Sequence, residues 1–225
     1  MLHRSYFSLK FALFISTFAL MLWVVMPTEA LIHLAEEGQL IESLTLYFYA
    51  AVLIMLMFIP LPGVKLTTRW SVIFVLFAMM AREADLHKAV DDMSMLKLRF
   101  WTGALPWQDK LLALAVLLPV VLACLNLLWR HSRKIWHAAK AHKAHAVTIL
   151  AFISLIILTS MLDRSLGVVK ETFGWHGPKW LVALQTSQEE LLEMALPLLA
   201  LVAVLQYRGS VRHAQTEPAS VVRAR

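Results

Sequence analysis

Cysteine is almost absent from this chain, with Cys124 the only one. No intrachain disulfide can form, so cysteine usage does not reveal the redox compartment. Glycine is scarce, with seven in 225 residues, and none belongs to a phosphate-binding loop. The patterns GxSxG, CxxC, HExxH and HxxxH are missing, which removes the common signatures of serine hydrolases, thiol oxidoreductases and helical zinc peptidases. Charge is also thin. Asp, Glu, Lys and Arg make up 16% of the chain, against about 25% in a soluble domain.

What fills the space is apolar: 60% of residues are hydrophobic and the mean hydropathy is +0.67. The apolar residues come in long runs separated by short charged stretches, the pattern of membrane helices rather than of a soluble core. Backbone groups in hydrocarbon need internal partners, so the runs are read as helices. The expected fold is an all-α polytopic membrane bundle of about six transmembrane helices, at 11–26, 42–60, 69–87, 111–129, 146–163 and 188–207. Each approaches the roughly 20 residues needed to cross about 30 Å of hydrocarbon. The first run has a basic start (Arg4, Lys10) and could be a signal peptide ending near Ala30. Its length and the bulky Trp23 and Met26 favour a retained helix instead. Residues 1–208 are expected to form the membrane domain, and 209–225 a flexible cytoplasmic tail.

Lysine and arginine orient the bundle. Thirteen fall on one side: Arg4, Lys10, Lys65, Arg69, Arg130, Arg133, Lys134, Lys140, Lys143, Arg208, Arg212, Arg223 and Arg225. The other eight fall on the opposite side, and the first outer segment, 27–41, has none. The positive-inside rule then places both termini in the cytoplasm. The net charge of +6 resides mainly in these short loops, so no nucleic-acid partner is expected. Membrane lipids are the expected partners, together with other membrane proteins.

The acidic residues divide more sharply. Of fifteen, only Glu217 falls on the cytoplasmic side. Asp and Glu contribute little to topology, so insertion alone does not account for this asymmetry. The strongest local signal is Arg82-Glu83-Ala84-Asp85-Leu86-His87-Lys88. The apolar run before it is short, so a full crossing must take Arg82, Glu83 and Asp85 into the outer third of the membrane. Ionisable groups at that depth are costly unless paired or hydrated, and they mark functional interiors. A second signal is Gln188-Glu189-Glu190-Leu191-Leu192-Glu193, with three carboxylates on one helix face and Glu193 expected about one turn, roughly 5 Å, inside. Glu42 and Asp163 are expected at a similar level.

These residues suggest roles. Glu83, Glu193 and Asp163 are the candidate catalytic or proton-handling carboxylates, and Arg82, Glu42 and Asp85 the candidate substrate-binding groups. His87, His33 and His176 could join the carboxylates around a divalent metal, although no ligand spacing supports one and no other cofactor is evident. The basic, histidine-rich segment 130–145 is explained by topology and by attraction to anionic lipid. Trp101, Trp107, Trp175 and Trp180 read as an aromatic belt.

The segment Arg82 to Lys88, followed by Lys97 and Arg99-Phe100-Trp101, resembles a stretch of small bacterial inner-membrane proteins. The resemblance covers about 20 residues and implies an inner-membrane location but no activity. The intramembrane zinc hydrolases typified by alkaline ceramidases and adiponectin-receptor-like proteins have seven spans and a late HxxxH pair, and this chain has neither. Three functions remain open: an enzyme acting on lipid or lipid-linked substrates at the outer leaflet, an ion- or proton-coupled transporter, and a non-catalytic assembly or regulatory subunit.

Overall fold

The computed structural model describes residues 4–35, 40–86 and 94–216. Its described elements are helices: α1 (Phe7–Val25), α2 (Thr28–Ala35), α3 (Leu40–Phe58), α4 (Leu66–Glu83), α5 (Leu98–Thr102), α6 (Trp107–Lys140), α7 (Ala144–Phe173) and α8 (Lys179–Thr216). Five of them, α1, α3, α6, α7 and α8, are long and apolar enough to cross a membrane. The chain is a multi-pass membrane protein. The 18-residue α4 is set apart by its charges, Arg69, Arg82 and Glu83.

Neighbouring helices close a ring. α8 packs against α7 and α3, α3 against α4, α4 against α6, and α6 against α7. α1 and α2 lie against α8, with α1 also touching α7. The interior seam is apolar. Val52, Leu53 and Leu56 of α3, Ile73 and Leu76 of α4, Leu155 of α7 and Leu192, Leu196 and Leu199 of α8 are all buried in one cluster. The outward faces of α6 carry exposed leucines and valines, as expected where lipid replaces water as solvent.

Several helices outrun their apolar cores. α6, α7 and α8 have 34, 30 and 38 residues, or about 51, 45 and 57 Å at 1.5 Å per residue. The basic stretch after Trp129, expected as a loop, continues as helix to Lys140. It contains no Gly or Pro, and Ala, Arg and Lys favour helix once the chain leaves the hydrocarbon. α8 runs on to Thr216, past the expected boundary at 208, and residues 217–225 lie outside the described residues. The outer segment 27–41 contains α2, a short helix that periodicity over apolar runs did not find. Three helices end at a left-handed residue: Asp85 (φ 54°) after α4, His142 (φ 54°) after α6 and Gly174 (φ 65°) after α7. Gly adopts this conformation freely, and Asp and His do so more readily than most residues.

Polar side chains tie the ring together. Thr148 Oγ1 donates to Gln206 Oε1 at 2.7 Å, joining α7 to α8. Asn126 Nδ2 donates to Ser71 Oγ at 2.7 Å, joining α6 to α4. Ser16 donates to Gln188 Oε1 at 3.0 Å while Gln188 Nε2 returns to the Ser16 carbonyl at 2.9 Å, joining α1 to α8. Arg69 of α4 satisfies the C-terminal end of α3, donating from Nε to the Leu56 carbonyl (2.7 Å) and from Nη2 to that of Met57 (2.6 Å). Those carbonyls lie in the last turn of α3, where no further helical N–H can reach them. Arg69→Ala should therefore lower unfolding stability in detergent by about 1.5–3 kcal/mol, the usual range for hydrogen bonds from a charged donor. Arg69→Lys should recover only part of this, because an ammonium lacks the planar fork. Urea or SDS titration followed by circular dichroism measures both.

Candidate functional site

The apolar run of α4 ends at Arg82 and Glu83, and the helix stops there because the Ala84 N–H closes on Met80 and Asp85 turns left-handed. This leaves Arg82 on the last turn, with a side chain long enough to leave the α3/α6 side on which α4 packs. It reaches α8. Arg82 Nη2 donates to Glu193 Oε1 at 3.1 Å. Glu193 is buried, with 7% of its surface exposed, whereas the Arg82 side chain is 38% exposed. The carboxylate thus sits in the protein interior and its counter-charge at the edge.

Glu83 lies beside the pair, its carboxyl next to that of Glu193. Glu189 and Glu190, one turn along α8, lie within electrostatic range of Glu83 or Glu193. Tyr49 of α3, 2% exposed, brings its phenol within range of Arg82, Glu83 and Glu193. It was not singled out from the sequence. The available signal was a hydroxyl seven residues, about two helical turns, after Glu42 and so on its face of the helix. Pro197 of α8 adds a further polar group. A proline has no N–H for the carbonyl four residues back, and here that carbonyl belongs to Glu193.

α8 begins at Lys179 rather than 188, so Glu193 is fourteen residues, about 21 Å, along the helix instead of one turn. It is also fourteen residues from Tyr207, whose hydroxyl donates to the Pro62 carbonyl at 2.9 Å in the turn between α3 and α4. Toward Lys179 the approach along α8 is polar, through Gln185, Gln188, Glu189 and Glu190. Toward Tyr207, residues 194–205 carry no ionisable side chain.

The remaining candidates are dispersed. Asp163 is exposed on α7, within electrostatic range of Glu189, and its carbonyl accepts Gln185 Nε2 at 3.2 Å. Glu42 occupies the first turn of α3, half-buried. Asp85 forms the left-handed turn after α4. His33 lies on α2 beside Gly177 and Lys179, His176 is exposed in the α7–α8 turn, and His87 lies outside the described residues. Among the described residues no three His, Cys, Asp or Glu side chains group as metal ligands.

The Arg82–Glu193 link predicts non-additive mutants. Arg82→Ala leaves a buried carboxylate without its counter-charge and should destabilise more than Glu193→Gln, whose amide mimics a neutral carboxyl. A double-mutant cycle in detergent should return a coupling of about 1–3 kcal/mol, within the range for contacting residues. Simple additivity would mean that the two do not interact. Comparison of the chain with protein-family models, with curated proteins and with solved structures yields no match.

Proposed function

We propose that this is a six-span inner-membrane protein of bacterial type, with both termini cytoplasmic and α4 as the sixth span. On this reading it is a proton-coupled carrier whose coupling site is formed by Glu83, Glu193 and Arg82. One observation carries the reading: an ion pair between α4 and α8 whose carboxylate is buried, with a second carboxyl beside it. Among the described residues, the Glu83, Glu189 and Glu193 carboxyls lie within electrostatic range of the Arg82 guanidinium. Intramembrane carboxyls of this kind mark proton and ion relays. Binding a proton at Glu193 removes the charge that holds Arg82 and so weakens the link between α4 and α8. Proton binding is thereby coupled to helix arrangement, as a two-state carrier requires.

The other readings fit the geometry less well. An enzyme acting on a phosphate- or carboxylate-bearing lipid needs a free cationic group, and Arg82 is turned to Glu193. A purely structural pair needs one carboxylate, whereas here a second lies beside it.

Two measurements test the proposal. Infrared difference spectra across a pH jump should contain a protonated-carboxyl band that disappears in Glu83→Gln or Glu193→Gln. Reconstituted protein should carry protons across vesicles loaded with a pH-sensitive dye, and either variant should abolish the flux. A wild-type spectrum without such a band would sink the reading. For topology, reporter fusions after Arg130 and after Arg208 should both be cytoplasmic and one after Gln108 periplasmic. A periplasmic C-terminal reporter would remove α4 as a span.

A further inference from the structure

A second polar constellation lies at the start of α8, about 15 Å along the helix from Glu189. α2 packs against α8, and between α2 and the turn leading into α8 is an open cleft of about 350 Å³ lined by Glu29, Ile32, His33, Gly177, Lys179 and Val182. Its charges are opposite and adjacent: Lys179 Nζ donates to Glu29 Oε1 at 3.1 Å. His33 is four residues after Glu29 and so shares its face of α2. The wall at Gly177 has no side chain, and Ile32 and Val182 supply the apolar lining.

The surroundings resemble a lipid–water boundary. Trp23 and Trp180 stand with ring centroids 6.1 Å apart, and Trp23 Nε1 donates to the Trp180 carbonyl at 2.9 Å. Tryptophans with apolar bodies and a satisfied N–H concentrate at the headgroup level. Trp23 is in the last turns of α1, two residues from the end of that candidate span.

We infer that this cleft binds a zwitterionic aminophosphate, the chemistry of a phosphoethanolamine headgroup. The phosphate is received by the Lys179 ammonium and an N–H of the His33 imidazole, and the primary ammonium by the Glu29 carboxylate. The Glu29 and Lys179 side chains are 82% and 78% exposed. An ion pair so well solvated is weak, so a ligand that offers each partner a new counter-charge opens it at little cost. A ligand with only one charge would leave Glu29 or Lys179 without a partner. A quaternary ammonium has no N–H for the carboxylate and is disfavoured. Ile32 and Val182 would meet the first carbons of a lipid's glycerol and acyl region, and the Trp23–Trp180 pair fixes the depth of the headgroup.

The test uses the full chain in detergent, where both exposed side chains can be changed without touching the core. Bound lipid is counted by native mass spectrometry with phosphatidylethanolamine, phosphatidylcholine and phosphatidylglycerol of matched acyl chains. O-phosphorylethanolamine and inorganic phosphate are titrated separately by ligand-observed NMR. Phosphatidylethanolamine should be retained about tenfold or more over the other two lipids. Glu29→Gln and Lys179→Gln should each remove that preference, in line with the loss of one charge-assisted hydrogen bond. Both variants should keep the wild-type elution volume and helical signal. Binding of soluble O-phosphorylethanolamine as tightly as the lipid would support the same zwitterion chemistry with a soluble source. Equal retention of all three lipids, binding of inorganic phosphate as tight as that of O-phosphorylethanolamine, or unchanged binding in both variants would each overturn it. The carboxylate variants Glu83→Gln and Glu193→Gln should bind as wild type, so failure here is independent of the coupling-site reading.

Discussion

A carboxylate in the interior of a membrane bundle loses its hydration, and what replaces that hydration decides how the helices around it sit. At Glu193 the replacement is the Arg82 guanidinium, 3.1 Å away, with the Glu83 carboxyl alongside. Taking an ionised group out of water costs several kcal/mol even after relaxation, and attraction to a partner recovers this only when the geometry is good. The pair therefore constrains more than itself. α4 packs on α3 and α6, while α8 packs on α3, α7, α1 and α2. Arg82 is the side chain that reaches from the first group to the second at this depth.

The ring of α3, α4, α6, α7 and α8 follows from that constraint together with ordinary packing. Interhelical hydrogen bonds such as Thr148–Gln206 and Asn126–Ser71 specify register, yet each contributes modestly in a membrane, about 0.6 kcal/mol on average. Arg69 fixes the end of α3 to the start of α4, and Tyr207 fixes α8 to the turn between them. At this end the helices are tied by backbone carbonyls, which have no second protonation state. At the other end α4 is tied through a carboxylate, which does.

Much of this was legible in the sequence, for identifiable reasons. Apolar runs mark the hydrocarbon, so the helical class and the apolar cores of the spans follow from hydropathy. The convergence of Arg82, Glu83 and Glu193 follows from the cost of pointing charges at lipid, given that short apolar runs force those residues inward. Helix ends were not legible. Outside the hydrocarbon the hydrophobic signal vanishes, and helix continues on propensity alone, as in the Arg130–Lys140 end of α6 and the Lys179–Ser187 start of α8. Tyr49 was passed over because an aromatic ring in an apolar run reads as packing, and only tertiary placement brings its hydroxyl toward the carboxylates. Asp163 was grouped with them by depth, but depth does not fix the direction in which a helix face points, and the residue is exposed.

The arrangement along α8 also bears on how a proton would move. From Lys179 toward Glu193 the helix presents Gln185, Gln188, Glu189 and Glu190, with Ser16 of α1 bonded to Gln188. Beyond Glu193 the next polar side chain on α8 is Gln206, thirteen residues and about 19 Å on. That interval includes the buried Leu196 and Leu199. On the proposed carrier reading, this apolar interval confines proton exchange to the Lys179 side of the site until the ring rearranges, and α8 offers a place for that rearrangement. Pro197 interrupts the hydrogen-bond ladder of α8 one turn past Glu193, where helices bend at least cost. The charged contact that opposes bending, Arg82 to Glu193, lies within the same turn. On the proposed reading, the proton-binding site and the least rigid turn of α8 therefore occupy one place in the fold.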